Sequence, residues 1–223
     1  MKFKLILFSL IISILLVNIA NAQVKDYYWE DITTHLYINP DGTVFVEETQ
    51  EFNFTGPFTF AYRYFHFDEI DEIKSIKVFE NNIEITNKKV YNENSFRVVK
   101  WFFNAQNERR KFLLTYKVTG LIKSEKERDR IFWTAVFKDH SKDVKKASLY
   151  LHFPKPIDIN QLNYRTSLTS NYELIDEKTI KISTNNIYAY NPFDVEFYFQ
   201  KDMITEIPIT SFLAKFLKYL IIP

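Results

Sequence analysis

The 223-residue chain has no cysteine, only three glycines and two methionines, and charges that nearly cancel. Without cysteine there are no disulfides, no thiolate metal sites, no cysteine nucleophile and no lipid anchor on an N-terminal cysteine. So few glycines leave little room for a backbone to wrap a phosphate or to make the tight turn beneath a serine nucleophile, so both classes are close to excluded. With 29 basic and 28 acidic residues, no net field draws in nucleic acid. His35, His66, His140 and His152 are scattered, without H-x-H or H-E-x-x-H spacing, which argues against zinc. No metal and no cofactor are expected.

What is present begins with the N-terminus. Lys2 and Lys4 precede an apolar run from Leu5 to Val17, and Ala20-Asn21-Ala22 closes it with small residues. That order of charge, apolar run and small-residue site predicts a secretory signal peptide over 1–22, cut before Gln23. An uncleaved anchor is the alternative. Cleavage leaves 201 residues and a net charge of −1, since Lys2 and Lys4 go with the leader. A chain of that size buries a core without covalent staples. It is expected outside the cytoplasm, in the periplasm or at the cell surface, and associated with the cytoplasmic membrane.

Nearly every later segment reads at period two. From Thr43 the chain runs TVFVEETQEFNFTGPF, with Val44, Val46, Phe52 and Phe54 on one face and Glu47, Thr49, Glu51 and Asn53 on the other. Asn39-Pro40-Asp41-Gly42 supplies the proline and positive-φ positions of a hairpin turn, so 31–39 should pair with 43–54. Asn81-Asn82 reads as another tight turn, and Asn92 to Ser95 separates a further pair. Phe112 to Val118 and Val195 to Phe199 alternate in the same way. About eleven short strands predict an all-β fold, an antiparallel sandwich-like domain over 23–203. KSEKERDR at 123–130 carries seven charges in eight residues; an exposed hairpin tip is the preferred reading over a short helix or a linker. From Ile207 to Ile222 an amphipathic helix is expected, with Leu213, Phe216, Leu217 and Leu220 opposite Ser211, Lys215 and Lys218. Sixteen helical residues span about 24 Å, short of a hydrocarbon core of about 30 Å. The segment 204–223 is therefore an amphipathic tail or the start of a transmembrane helix.

Three stretches in order carry a family likeness: VEETQEFNFTGPF followed by Arg63 in FAYRYF, then FLLTYKVTGLI, then DRIFWTAVF leading to ASLYLHFP. Together they resemble the extracytoplasmic N-terminal domain of the YciQ-like predicted membrane proteins, domain of unknown function 2207. The matching positions are Val46, Glu48, Phe52, Phe54, Gly56, Tyr62, Arg63, Tyr116, Val118, Gly120, Phe132, Trp133, Phe153 and Pro154. The resemblance implies a signal peptide, a β-rich exported domain and a following transmembrane helix, which would only be starting where this sequence stops. A second tryptophan common after the first is replaced here by TAVFKDHSKDV. The family implies location and architecture but no activity.

Among candidate site residues, Glu48 has the parity of Val46 and Phe52 and so points inward. A buried carboxylate must be paired or neutral, and Arg63 is the only cation between Phe58 and Phe67. A structural ion pair is the preferred reading over a general acid or base. Asp68, Glu69, Asp71 and Glu72 beside His66 lack the spacing and glycine of a calcium loop and read as a solvated segment. Asp139-His140-Ser141 names the residue types of a triad, but neighbours in sequence cannot face one another as a triad requires. Trp29, Trp101, Tyr188 and Tyr190 are candidate ligand-stacking aromatics. The expectation is a non-enzymatic, exported interaction or sensory domain, with a membrane or envelope protein as partner and the membrane surface met through 207–222. The alternative is a carbohydrate- or cell-wall-binding module, and a hydrolase ranks third.

Overall fold

The computed structural model describes residues 24–205. The leader expected over 1–22 and the helix expected over 207–222 therefore lie outside the described residues.

Fifteen strands form among the described residues: β1 (Asp26–Ile38), β2 (Val44–Thr55), β3 (Pro57–His66), β4 (Glu72–Glu80), β5 (Ile83–Glu84), β6 (Lys88–Glu93), β7 (Phe96–Gln106), β8 (Arg109–Thr119), β9 (Ile122–Ser124), β10 (Asp129–Val136), β11 (Val144–His152), β12 (Asn163–Thr166), β13 (Asn171–Asp176), β14 (Thr179–Ile187) and β15 (Phe193–Phe199). A 3-10 turn, Lys201–Met203, follows β15. The strands beyond the eleven expected are short or exposed ones such as β5, β9, β12 and β13, which offer too few apolar positions for a period-two signal.

Turn chemistry sets the register. Asn39 and Thr43 close the first hairpin, with Thr43 N also bonded to Asp41 Oδ1 at 2.9 Å and Gly42 at φ 77°. Asn81 and Asn82 both take positive φ between β4 and β5, as a primed two-residue turn requires. Ser124 to Asp129 is a hairpin tip, closed by Glu125 N donating to the Arg128 carbonyl.

One layer is an eight-stranded sheet in the order β13-β14-β11-β1-β2-β8-β4-β5. Its pairings are antiparallel except β1 with β11, which is parallel. The opposing layer is split into β12-β15-β10-β9 and β3-β7-β6. The inner faces meet through a core that includes Phe112, Leu114, Tyr116 and Val118 from β8, Trp101 from β7, and Val195, Phe197 and Phe199 from β15. Alternation explains this burial: β2 is buried at every second residue from Val44 to Phe54.

The split positions the site. β3 pairs with β7 on one edge only. β10 pairs with β15 along its length but with β9 only over Asp129–Ile131. The outer edge of β3 and residues 132–136 of β10 therefore face each other across a break, and apart from isolated pairs their Cα atoms stay more than 8 Å apart. At one end of the sandwich Thr205, the last described residue, is bonded through its N–H to the Pro40 carbonyl at the tip of the first hairpin.

Candidate functional site

Glu48 and Arg63 meet beneath this break. Glu48 is the third inward residue of β2, and Arg63 is inward on β3; they are 1% and 4% exposed. Arg63 Nε donates to Glu48 Oε1 at 2.9 Å and Oε2 at 3.1 Å. Tyr116 OH donates to Oε2 at 2.8 Å, and Gln50 Nε2 to Oε1 at 2.6 Å. The chain of bonds continues to Trp29, whose indole Nε1 donates to Gln50 Oε1 at 3.1 Å. Arg63 Nη1 donates to the Tyr64 carbonyl, and the guanidinium lies 4.7 Å and 4.6 Å from the ring centroids of Phe65 and Phe137. Burial, and then the charge of Glu48, push the Tyr116 phenol well above its ordinary range. The carboxylate thus accepts four hydrogen bonds and faces a buried cation, an arrangement that fixes β2, β3 and β8 relative to one another.

Two cavities flank Phe137. One of 240 Å³ is lined by residues that include Arg63 and Phe65 of β3, Phe132 and Trp133 of β10, and the carboxylates Asp68 and Asp194. The other, of 260 Å³, is lined largely by rings, among them Tyr27, Trp29, Phe54, Phe58, Phe60 and Tyr62. Phe60 and Tyr62 are exposed on the outside of β3.

The four candidate stacking aromatics divide. Trp29 and Trp101 are core residues, 3% and 0% exposed, and are not available to stack on a ligand. The register shift between Trp29 and Asp31 against β2 puts Trp29 and Ile32 on the same inner face although they are three apart, which strict alternation does not anticipate. Trp101 lies in FRVVKWFF, apolar on both parities, and packs edge-on against Phe112 at 5.5 Å. Tyr188 and Tyr190 are 68% and 63% exposed. They stand on a loop stitched to residues 137–143 by the Tyr190 N–H to the His140 carbonyl and by Ala189 N–H to Asp143 Oδ1. The His140 ring nitrogens lie 2.8 Å and 2.9 Å from the carbonyl oxygens of Lys142 and Asn191. Beside this loop runs a groove of 540 Å³ of mixed lining, with Asp26, Lys142, Lys145 and Asn186 among Tyr28, Val144 and Tyr188.

Two carboxylates of the acidic segment meet cations, Glu69 with Arg130 at 3.0 Å and Glu72 with Lys74 at 2.7 Å, and the neighbouring His66 lies 3.4 Å from Asp139. Among the described residues no group of three metal-ligating side chains is positioned to hold an ion.

Sequence reasoning missed one cluster. His35 of β1 and His152 of β11 are joined Nδ1 to Nε2 at 2.9 Å on the outer face of the large sheet. Each is stacked on a tyrosine of the other strand, His35 on Tyr150 and His152 on Tyr37, both at 4.4 Å. Burial holds both imidazoles below the ordinary histidine range. The partners are 117 residues apart, and only the parallel β1–β11 register unites them.

Among solved structures the chain is similar to a protein described as nutrient-binding from Legionella pneumophila, at 10% identity and TM-score 0.54, covering 77% of this chain and 66% of that one. It is also similar to a protein described as a protease from Parabacteroides distasonis (11% identity, TM-score 0.45, 77% and 40% covered). A third is the M1 zinc metallopeptidase of Deinococcus radiodurans (7%, 0.46, 76% and 42%). The chain spans about two-fifths of the length of the latter two, and at these identities only the Legionella likeness bears on the fold. No curated protein matches the sequence. The family profile described as "Predicted membrane protein (DUF2207) N-terminal domain" matches residues 29–199, three-quarters of the chain. This chain belongs to the DUF2207 family of predicted membrane proteins, of which residues 29–199 form the N-terminal domain.

Proposed function

We propose that this is an exported, membrane-associated interaction domain without catalytic activity, held near the membrane through residues 207–222. The observation that carries the reading is the pair of apolar cavities at the break in the second layer, beside the exposed Phe60 and Tyr62. Concave apolar sites with a few fixed polar groups are where ligands and partners bind, and exposed aromatics are favoured contact residues. Glu48, the one inward carboxylate of β2, is saturated with donors, which suits a structural role better than proton transfer. Membership of a membrane-protein family supports the location. A carbohydrate-binding reading draws on Tyr188 and Tyr190 beside the groove of mixed lining, since planar polar groups with an exposed ring suit a sugar.

The test is fractionation of the full chain with an alkaline wash, combined with a photoreactive residue in place of Tyr62, Tyr188 or Lys111. Retention in the washed membranes and a discrete crosslink from position 62 are expected. A discrete crosslink to wall polymer from position 188 alone would favour the carbohydrate reading. Release as a soluble species with no discrete crosslink from 62 would refute the proposal.

A further inference from the structure

We infer that the break between β3 and β10 is a slot for one extended peptide segment of a partner protein, turning apolar side chains inward and placing a lysine or arginine near Asp68 and Asp194. The inference rests on the reading of this chain as an interaction domain and names the chemistry of its partner.

Both walls of the slot are strand edges that lack a neighbour. Among the described residues neither the outer edge of β3 nor the edge of residues 132–136 of β10 that faces away from β15 has a paired strand. A strand edge is a row of N–H and C=O groups at a spacing that templates another strand. Neighbouring strands lie about 4.8 Å apart, so a layer missing one strand has edges about 9.6 Å apart. The two edges, beyond 8 Å apart but for isolated pairs, are too far apart for direct pairing, which leaves the place between them open to a strand.

The cavity between the edges is built for side chains. It is lined by residues that alternate in facing along β10, the inward Trp133 and the outward Phe132 and Thr134, which only an edge-on position allows. Its floor is Arg63, held between Phe65 and Phe137. Trp133 is buried, and its indole Nε1 has no hydrogen-bond partner.

Direction and charge narrow the occupant. β3 starts beside Phe54, where Phe58 packs on it, and reaches Tyr116 through Phe65. β10 passes Tyr116 at Trp133, and the chain then reaches Trp29 at Phe137. The two edges run in opposite directions, so an inserted strand is antiparallel to one and parallel to the other. Among the lining residues, Glu69 is met by Arg130 and the Asp194 carboxylate accepts a neutral bond from Thr134 Oγ1. Asp68 is exposed, and Lys138 is the one lysine on the cavity wall. With Arg63 neutralised by Glu48, the rim is acidic and complements a basic side chain.

Amide hydrogen exchange on the full chain tests this. The probe is a mixture of capped nonapeptides with Val, Ile, Leu or Phe at odd positions and Thr, Lys or Arg at even ones. The control mixture carries Asp or Glu in place of Lys and Arg. Without peptide, amides on the free edges of β3 and of residues 132–136 should exchange faster than those of β7, which is paired on both sides. The basic mixture should slow both edges about tenfold or more, with the acidic one requiring about tenfold higher concentration. In Asp68→Lys that preference should weaken or reverse. Edges that are already slow in the chain alone overturn the inference. Slow exchange independent of protein concentration would assign the slot to the chain's own residues 206–223, and concentration-dependent slowing to a second copy. Absence of protection at about 1 mM peptide, or protection confined to other strands, also overturns it. The exchange experiment uses purified protein, so the slot can fail while a membrane crosslink from position 62 stands, and the reverse.

Discussion

Replacing Glu48 by alanine removes the acceptor of four hydrogen bonds at once. Arg63 then keeps its bond to the Tyr64 carbonyl and its contacts with Phe65 and Phe137, but its charge is left in a site 4% exposed. The Tyr116 hydroxyl, fully buried, and the Gln50 amide also lose their acceptor. Removing one partner of a buried pair costs about 3–5 kcal/mol. For a domain of this size each kcal/mol shifts the melting temperature by about 2–4 °C, so Glu48→Ala should melt about 6–20 °C lower, read by calorimetry at neutral pH. Glu48→Leu combined with Arg63→Met, which leaves no charge behind, should regain most of that loss. A single variant that melts within about 2 °C of the parent, or a double variant no better than the single, would refute the view that the uncompensated charge dominates.

Four further outcomes are expected. His35 and His152 titrate below the ordinary histidine value, so the native state binds fewer protons than the unfolded one; their contribution is complete above about pH 6.5 and lost as pH falls through the folded values. Melting temperature should decline from about pH 7.5 to about pH 5, and a decline equally steep in His35→Phe/His152→Phe would sink the assignment. Asp129 is buried with only Ser124 and the charge of Lys201 near its carboxylate, neither oxygen making a well-formed hydrogen bond, and burial outweighs both and raises its pKa; Asp129→Asn should therefore stabilise by about 1 kcal/mol at neutral pH, and a lower denaturation midpoint would contradict this. Gly120 sits at φ +72°, and a Cβ there would stand 2.2 Å from Asp71 Oδ2, so Gly120→Ala should cost about 2 kcal/mol or more in denaturant titration; an unchanged midpoint is the contrary result. Tyr190 holds φ 66° with an exposed ring, and Tyr190→Gly should gain about 1 kcal/mol; a lower denaturation midpoint would contradict this.

The parts of the fold legible in the sequence were those set locally. Asp41-Gly42 and Asn81-Asn82 specify their turns by backbone preference, and the alternation from Val44 to Phe54 names its own inner face. Glu48 was readable for the same reason, since its parity put a carboxylate indoors and Arg63 was the one cation near enough in sequence. The burial of Trp29 is not legible because it lies beyond a bulge that reverses parity, and a bulge leaves no mark on composition. Trp101 was misread because both faces of its strand are apolar. The His35–His152 pair and the break between β3 and β10 depend on which strands become neighbours, and that is settled by packing across the whole chain.

The parallel pairing of β1 with β11 bears on the order in which the fold can assemble. β1 lies between β2, which follows it directly, and β11, which begins at Val144. A chain emerging from its N-terminus can form the β1–β2 hairpin early, by a short loop. The second edge of β1 stays open until β11, which begins 89 residues beyond the end of β2, has been made, and pairing over such separations is slow. Until then an apolar, alternating strand at the heart of the finished sheet behaves as an exposed edge, open to wrong partners. A break in synthesis or export anywhere between β2 and β11 would leave it so, because the first strand made is among the last to be enclosed.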